Sequence, residues 1–225
     1  MHIEPGVVDG AKMILATGTA AAAGAYGLKL MWEDARARGL VSLAARSVIA
    51  TAAVFFAFEV LPHFPVGVSE VHFIFGSTIL LILGAAPAAF GLAMGLLIQG
   101  LFFAPTDLPM YFVNVTTLLV PLFAIWELAR RVLPQDIAYV DLRYRDVLKL
   151  SAAFQGGVVA WVVFWVLYGE GVSAGSLMAL ATFGVAYMSV VLIEPLADLA
   201  ILAAAKALHR GTGSALTETR LYNRA

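Results

Sequence analysis

A chain of 225 residues that is 61% apolar and only 13% charged, with a mean hydropathy of +0.89, is too oily for a water-soluble domain. Its net charge of −1, with no basic stripe interleaved with aromatics, excludes nucleic acid as a partner. Zero cysteines exclude disulfides, thiolate metal sites and cysteine nucleophiles. Apolar stretches recur along the whole length, and a helix crosses a hydrocarbon core with about 20 residues. The composition therefore predicts an all-α, polytopic membrane helix bundle, a single transmembrane domain over residues 1–225.

The chain opens Met1-His2-Ile3-Glu4-Pro5-Gly6. A free α-amine followed directly by histidine is a chelator: the amine, the deprotonated amide of His2 and its near imidazole nitrogen can close fused rings around one ion. One equatorial position is then left for a fourth nitrogen from elsewhere. Planar nitrogen ligation of this kind suits Ni(II) and Cu(II), and Co(II) can enter as well. The acidic start lacks the positive region of a cleaved signal peptide, and a bulky second residue protects Met1 from removal by methionine aminopeptidase. A Met-His start alone means little, so its weight depends on the rest of the chain.

The first span is expected from about Gly6 to Trp32, with Asp9 and Lys12, three apart, as a structural pair near its start. Its middle, Ala16 to Gly24, is built of small residues, which let helices approach closely in lipid; this face is open to a packing role inside the protein or against a partner. Lys29, Arg36 and Arg38 mark a cytoplasmic loop. A second span, about Val41 to Leu61, ends in an outer segment, Pro62 to His72, that contains no Lys or Arg. From Phe73 to Leu101 the apolar run is broken at Gly84-Ala-Ala-Pro87, which predicts a tight helical hairpin with one abbreviated member. Broken helices at membrane depth are tolerated where they line a protected site. Pro105-Thr-Asp107-Leu-Pro109 forms an outer turn. Spans follow at about Met110–Leu133, Leu150–Tyr168 and Ser176–Ala205, with basic residues in the inner loop (Arg143, Arg145, Lys149) and in the tail (Lys206, Arg210, Arg220, Arg224). The distribution of Lys and Arg fits one topology, seven spans with the N-terminus outside and the C-terminus inside.

That topology places Met1, His63 and His72 on the same outer side, whereas His209 falls in the cytoplasmic tail. His72, expected to start a short helix, is a candidate fourth ligand; His63 is an alternative ligand or an interfacial histidine. Met1-His2-Ile3, the segment Phe64-Pro65-Val66-Gly67-Val68-Ser69-Glu70-Val71-His72 and the run Leu96-Leu-Ile-Gln99-Gly-Leu-Phe-Phe103 resemble the CbiM/NikM family. These are the substrate-capturing membrane components of energy-coupling-factor transporters. The resemblance covers the first half to two-thirds of the chain. It implies Co(II) or Ni(II) as the transported substrate, bound through Met1, His2 and His72, with no organic cofactor. It also implies partners: a membrane coupling subunit and ABC-type ATPase subunits, in a bacterial inner membrane.

This chain departs from the family pattern in three places. Glu4-Pro5 exchanges the usual order of proline and acid. Ser69-Glu70-Val71-His72 stands where the family has Ser-Gly-His, and one added residue turns a side chain by about 100° on a helix. Asn114-Val-Thr-Thr117 is all that represents an Asn-x-Phe-Asn-Met motif. Glu70 adds a negative charge to the outer loop, and Glu59 sits near an outer helix end. Glu194 and Asp198, four apart across a helix-breaking Pro195, are placed near the inner side, where a partner, Arg46 or the interface would receive them. The sequence holds no P-loop, so ATP hydrolysis is expected in a separate subunit and this chain is not an ATPase. Two other classes stay open: a metal-binding or sensing membrane protein without transport, and an intramembrane metalloenzyme using an acid or base such as Glu70.

Overall fold

The computed structural model describes residues 2–133, 138–207, 216–218 and 221. Met1, His209 and the basic tail residues Arg210, Arg220 and Arg224 lie outside the described residues. Among the described residues seven α-helices form a bundle: α1 (Met13–Arg38), α2 (Leu40–Phe55), α3 (Gly76–Leu83), α4 (Ala85–Phe102), α5 (Tyr111–Val132), α6 (Tyr144–Glu170) and α7 (Ala174–Ala207). A hairpin of β1 (Phe64–Val66) and β2 (Ser69–Val71) separates α2 from α3. Five helical stretches are long and apolar enough to cross a membrane: Leu40–Val60, Ala85–Phe102, Pro105–Val132, Tyr144–Glu170 and Ala174–Ala207.

The apolar run broken at Gly84 is the expected hairpin with one short member. At a rise of 1.5 Å per residue, α3 spans only about 12 Å, and Gly84 at φ +93° turns the chain straight into α4. An L-residue with a side chain seldom enters that backbone region. α2 and α4 make the most extensive helix contact in the bundle. A Cβ on Gly91 would sit 2.5 Å from the Ala50 methyl, and one on Gly95 the same distance from a Val54 methyl, so bare backbone sets the separation of these two helices.

α1 begins at Met13, later than the expected Gly6, because residues 2–4 are drawn into pairing with the hairpin. Its small-residue stretch divides by face: Ala16, Ala23 and Gly27 are buried, while Thr17, Gly18, Ala21 and Ala22 point outward. The expected Asp9–Lys12 pair does not form; the Lys12 ammonium donates instead to the Gly169 carbonyl at the end of α6.

α7 runs unbroken through Pro195, and Glu194 and Asp198 do not meet Arg46. Both acids are buried against the start of α3. Glu194 accepts from the backbone N–H of Ile74 and from the Gln155 amide, and Asp198 accepts from the hydroxyls of Ser77 (2.6 Å) and Thr78. The connection ahead of α3 is irregular and lies inside the bundle, with Phe75 in the left-handed region at φ 54°. Unmet backbone donors there would each cost several kcal/mol in an apolar surround. Arg46 serves the other end of α3, donating to the Leu83 carbonyl at 2.7 Å while pairing with Asp34. The side chains of Glu194, Asp198 and Arg46 thus hold the two ends of this short helix.

Candidate metal centre

The residues after Met1 fold back as a third, irregular edge on the β hairpin. Ile3 pairs antiparallel across Ser69, the Glu70 N–H donates to the His2 carbonyl at 2.8 Å, and the Glu4 N–H donates to the Val68 carbonyl at 3.1 Å. The Ile3 N–H points into the bundle, where Asn114 of α5 accepts it at 2.7 Å. Ile3 and Val8 are fully buried, so the segment is anchored by apolar side chains as well as by backbone bonds. The result is that His2, near the chain terminus, is only 3% exposed.

His2 meets the residues that follow the hairpin. Its Nδ1 lies 2.8 Å from Glu70 Oε2 and 3.1 Å from Asp107 Oδ2, the latter in the turn before α5. The ring of His72 lies 5.1 Å from that of His2, and Phe58 packs against both imidazoles at 4.3 Å and 6.1 Å. One ligand atom each from His2, Glu70 and His72 falls within 4.8 Å of the others. The Nδ1 of His72 is 3.1 Å from the Phe73 carbonyl. A carbonyl can only accept, so that nitrogen carries the proton and Nε2 carries the lone pair, the usual way a backbone carbonyl readies a histidine for a metal.

Electrostatics in the pocket follow from crowding. Burial, the largest single influence, works to raise the Glu70 carboxyl, but the hydrogen bond and charge of the adjacent His2 imidazole, with weaker help from other positive groups, together hold it below the usual carboxylate range. Glu4 moves the other way, raised by burial and then by the nearby Asp107 and Glu70. His2 and Asp107 also border a void of about 10 Å³, the lower limit for one water molecule. Two larger cavities, about 230 and 490 Å³, lie around α3 with almost wholly apolar walls, away from this cluster.

Of the four residues expected at the site, His2 and His72 are brought together, Met1 lies outside the described residues, and His63 is elsewhere. His63 Nδ1 is 2.8 Å from the Phe58 carbonyl, and His63 is not part of the cluster. His72 does not start a helix: it follows β2 directly, and α3 begins at Gly76. The extra residue before it is therefore absorbed by extended backbone rather than by rotation on a helix. Side chains alternate along a strand, so Glu70 and His72, two apart, reach the same side and both face His2. Sequence reasoning placed Glu70 on an outer loop and gave Asp107 and Asn114 no part in the site. The Glu-x-His spacing carried the signal for Glu70, once the segment is read as a strand; Asp107 had none.

The family model described as "Cobalt uptake substrate-specific transmembrane region" matches residues 2–210. No curated protein matches the chain. Among solved structures, one titled "Crystal Structure of an Truncated Transition metal Transporter" superposes with a TM-score of 0.54 at 16% identity, covering 91% of this chain and 95% of that one. At that identity the likeness is one of fold. The family match spans the folded-back terminus, the hairpin and all seven helices, and the chain belongs to the CbiM family of cobalt-uptake substrate-specific transmembrane components.

Proposed function

We propose that this chain captures Co(II) or Ni(II) for an ATP-driven energy-coupling-factor transporter, with Met1, His2 and His72 as ligands. The observation that carries the reading is the buried His2–Glu70–His72 cluster, assembled from the folded-back terminus and the outer hairpin. The α-amine of Met1, the amide and Nδ1 of His2, and the lone pair on Nε2 of His72 make a four-nitrogen set. The set is formed only when the chain terminus lies in the hairpin, which the Ile3–Asn114 and Glu70–His2 hydrogen bonds favour. Borderline nitrogen donors suit late first-row divalent ions.

Energy for uptake comes, in this reading, from a membrane coupling subunit and ABC-type ATPase subunits in the bacterial inner membrane, since the sequence holds no P-loop. The test is metal analysis of the purified chain followed by competitive Co(II)/Ni(II) titration, repeated with His2→Ala and His72→Ala. Stoichiometric binding that either substitution removes supports the reading. Binding that survives both substitutions would overturn it.

A further inference from the structure

We infer that Glu70 is itself a ligand, an oxygen donor added to the nitrogen set, and that it turns the site toward Co(II) over Ni(II). This rests on the reading that His2 and His72 hold the ion. Two donors each about 2.1 Å from one ion and at right angles stand about 3.0 Å apart. Glu70 Oε2 lies 2.8 Å from His2 Nδ1, the nitrogen that closes the chelate rings. A buried imidazole is thus held against a carboxylate at the spacing of neighbouring ligands. The strand places Glu70 on the same side as His72, and ligand atoms of all three residues already lie within 4.8 Å.

Charge points the same way. A divalent ion held by an amine, one amidate and two imidazoles keeps a net positive charge in a pocket where His2 and His72 are 3% and 1% exposed. An uncompensated buried charge is expensive. The carboxylate of Glu70, nearer His2 Nδ1 than that of Asp107 (2.8 against 3.1 Å), supplies compensating charge. With four nitrogens filling a plane, its oxygen enters from the face. Planar four-nitrogen fields favour Ni(II), which gains little from a fifth donor, while Co(II) accepts five-coordinate mixed nitrogen and oxygen ligation readily. The acid that this chain carries between Ser69 and His72 is then a selectivity residue.

The test uses the purified full-length chain in lipid nanodiscs, with Co(II) and Ni(II) salts as probes. The visible spectrum of the Co(II)-loaded native chain comes first: five-coordinate bands support the inference, and a planar four-coordinate spectrum overturns it. In competitive titration Glu70→Gln, which keeps shape and loses charge, should bind Co(II) about tenfold more weakly or worse, with Ni(II) affinity little changed. An equal loss for both metals, or no loss, overturns the inference. His72→Ala separates the two readings. If it abolishes binding while Glu70→Gln changes nothing, the role of Glu70 falls and the nitrogen site stands. If His72→Ala binds Co(II) like the native chain, the nitrogen site falls with it.

Discussion

At His72 the hydrogen bond to its own neighbour decides the chemistry. With Nδ1 donating to the Phe73 carbonyl, the lone pair sits on the far nitrogen. His63 turns to the Phe58 carbonyl, apart from the cluster. Replacing each by alanine should therefore abolish high-affinity Co(II)/Ni(II) binding only for His72→Ala, as read by calorimetry on the purified chain; the reverse result would mean a different site. Position matters as much as residue type at the terminus. Inserting one alanine between Met1 and His2 keeps every side chain but changes the chelate-ring size and shifts His2 against its carboxylate neighbours. Acetylating the amine removes a donor without altering the sequence. Each should weaken binding severely while the melting temperature in detergent holds. Because the amine and the amide must shed protons to bind, affinity should fall steadily as pH is lowered, with protons released in proportion to metal bound. Affinity that stays flat with pH would rule out amine and amide ligation.

The elements that matter most are the least regular ones. The terminal segment, the two-stranded hairpin and α3 form no span between them, yet they carry His2, Glu70 and His72 and hold them in the bundle. Asn114 is the link between the terminal segment and a spanning helix, through the Ile3 N–H. Asn114→Ala leaves that buried donor unmet at a cost of about 1–3 kcal/mol, charged to the segment rather than to the helices. The expected outcome is faster hydrogen exchange at residues 2–8 and weaker metal binding, with helix content unchanged by circular dichroism. An unaltered exchange rate would show that the apolar anchoring of Ile3 and Val8 suffices without it.

On the scale of the molecule, the bundle buries its polar groups around α3 and leaves broad apolar faces on α1, α2 and α7. Leu28, Val41, Val48, Val185 and Leu196 are among the exposed side chains, as lipid contact requires. Basic residues gather at the opposite end from the hairpin: Arg36 and Arg38 close α1, Arg130 and Arg131 close α5, and Lys206 lies in the last turn of α7. The proposed division of labour predicts that capture and transport separate. Expressed in cells lacking coupling and ATPase subunits, the chain should bind metal when purified yet give little energised uptake. ATP-dependent accumulation by this chain alone in vesicles would refute that division.

Sequence by itself determined the class of molecule and most of its elements. Hydropathy is a local, additive property, so span positions, the break at Gly84 and the shortness of α3 could all be read residue by residue. Motif resemblance carried the family and the joining of His2 to His72. Tertiary structure decided what depends on facing: that the terminal residues pair as a strand instead of lengthening α1, and that the extra residue before His72 is taken up by β2. Because a strand alternates its faces, Glu70 and His72, two apart, both reach His2. Glu194 and Asp198 likewise had no legible destination, since their partners Ile74, ahead of α3, and Ser77, on it, are more than a hundred residues away in the chain. Contacts of that range are set by how helices pack, and no local pattern in the sequence records them.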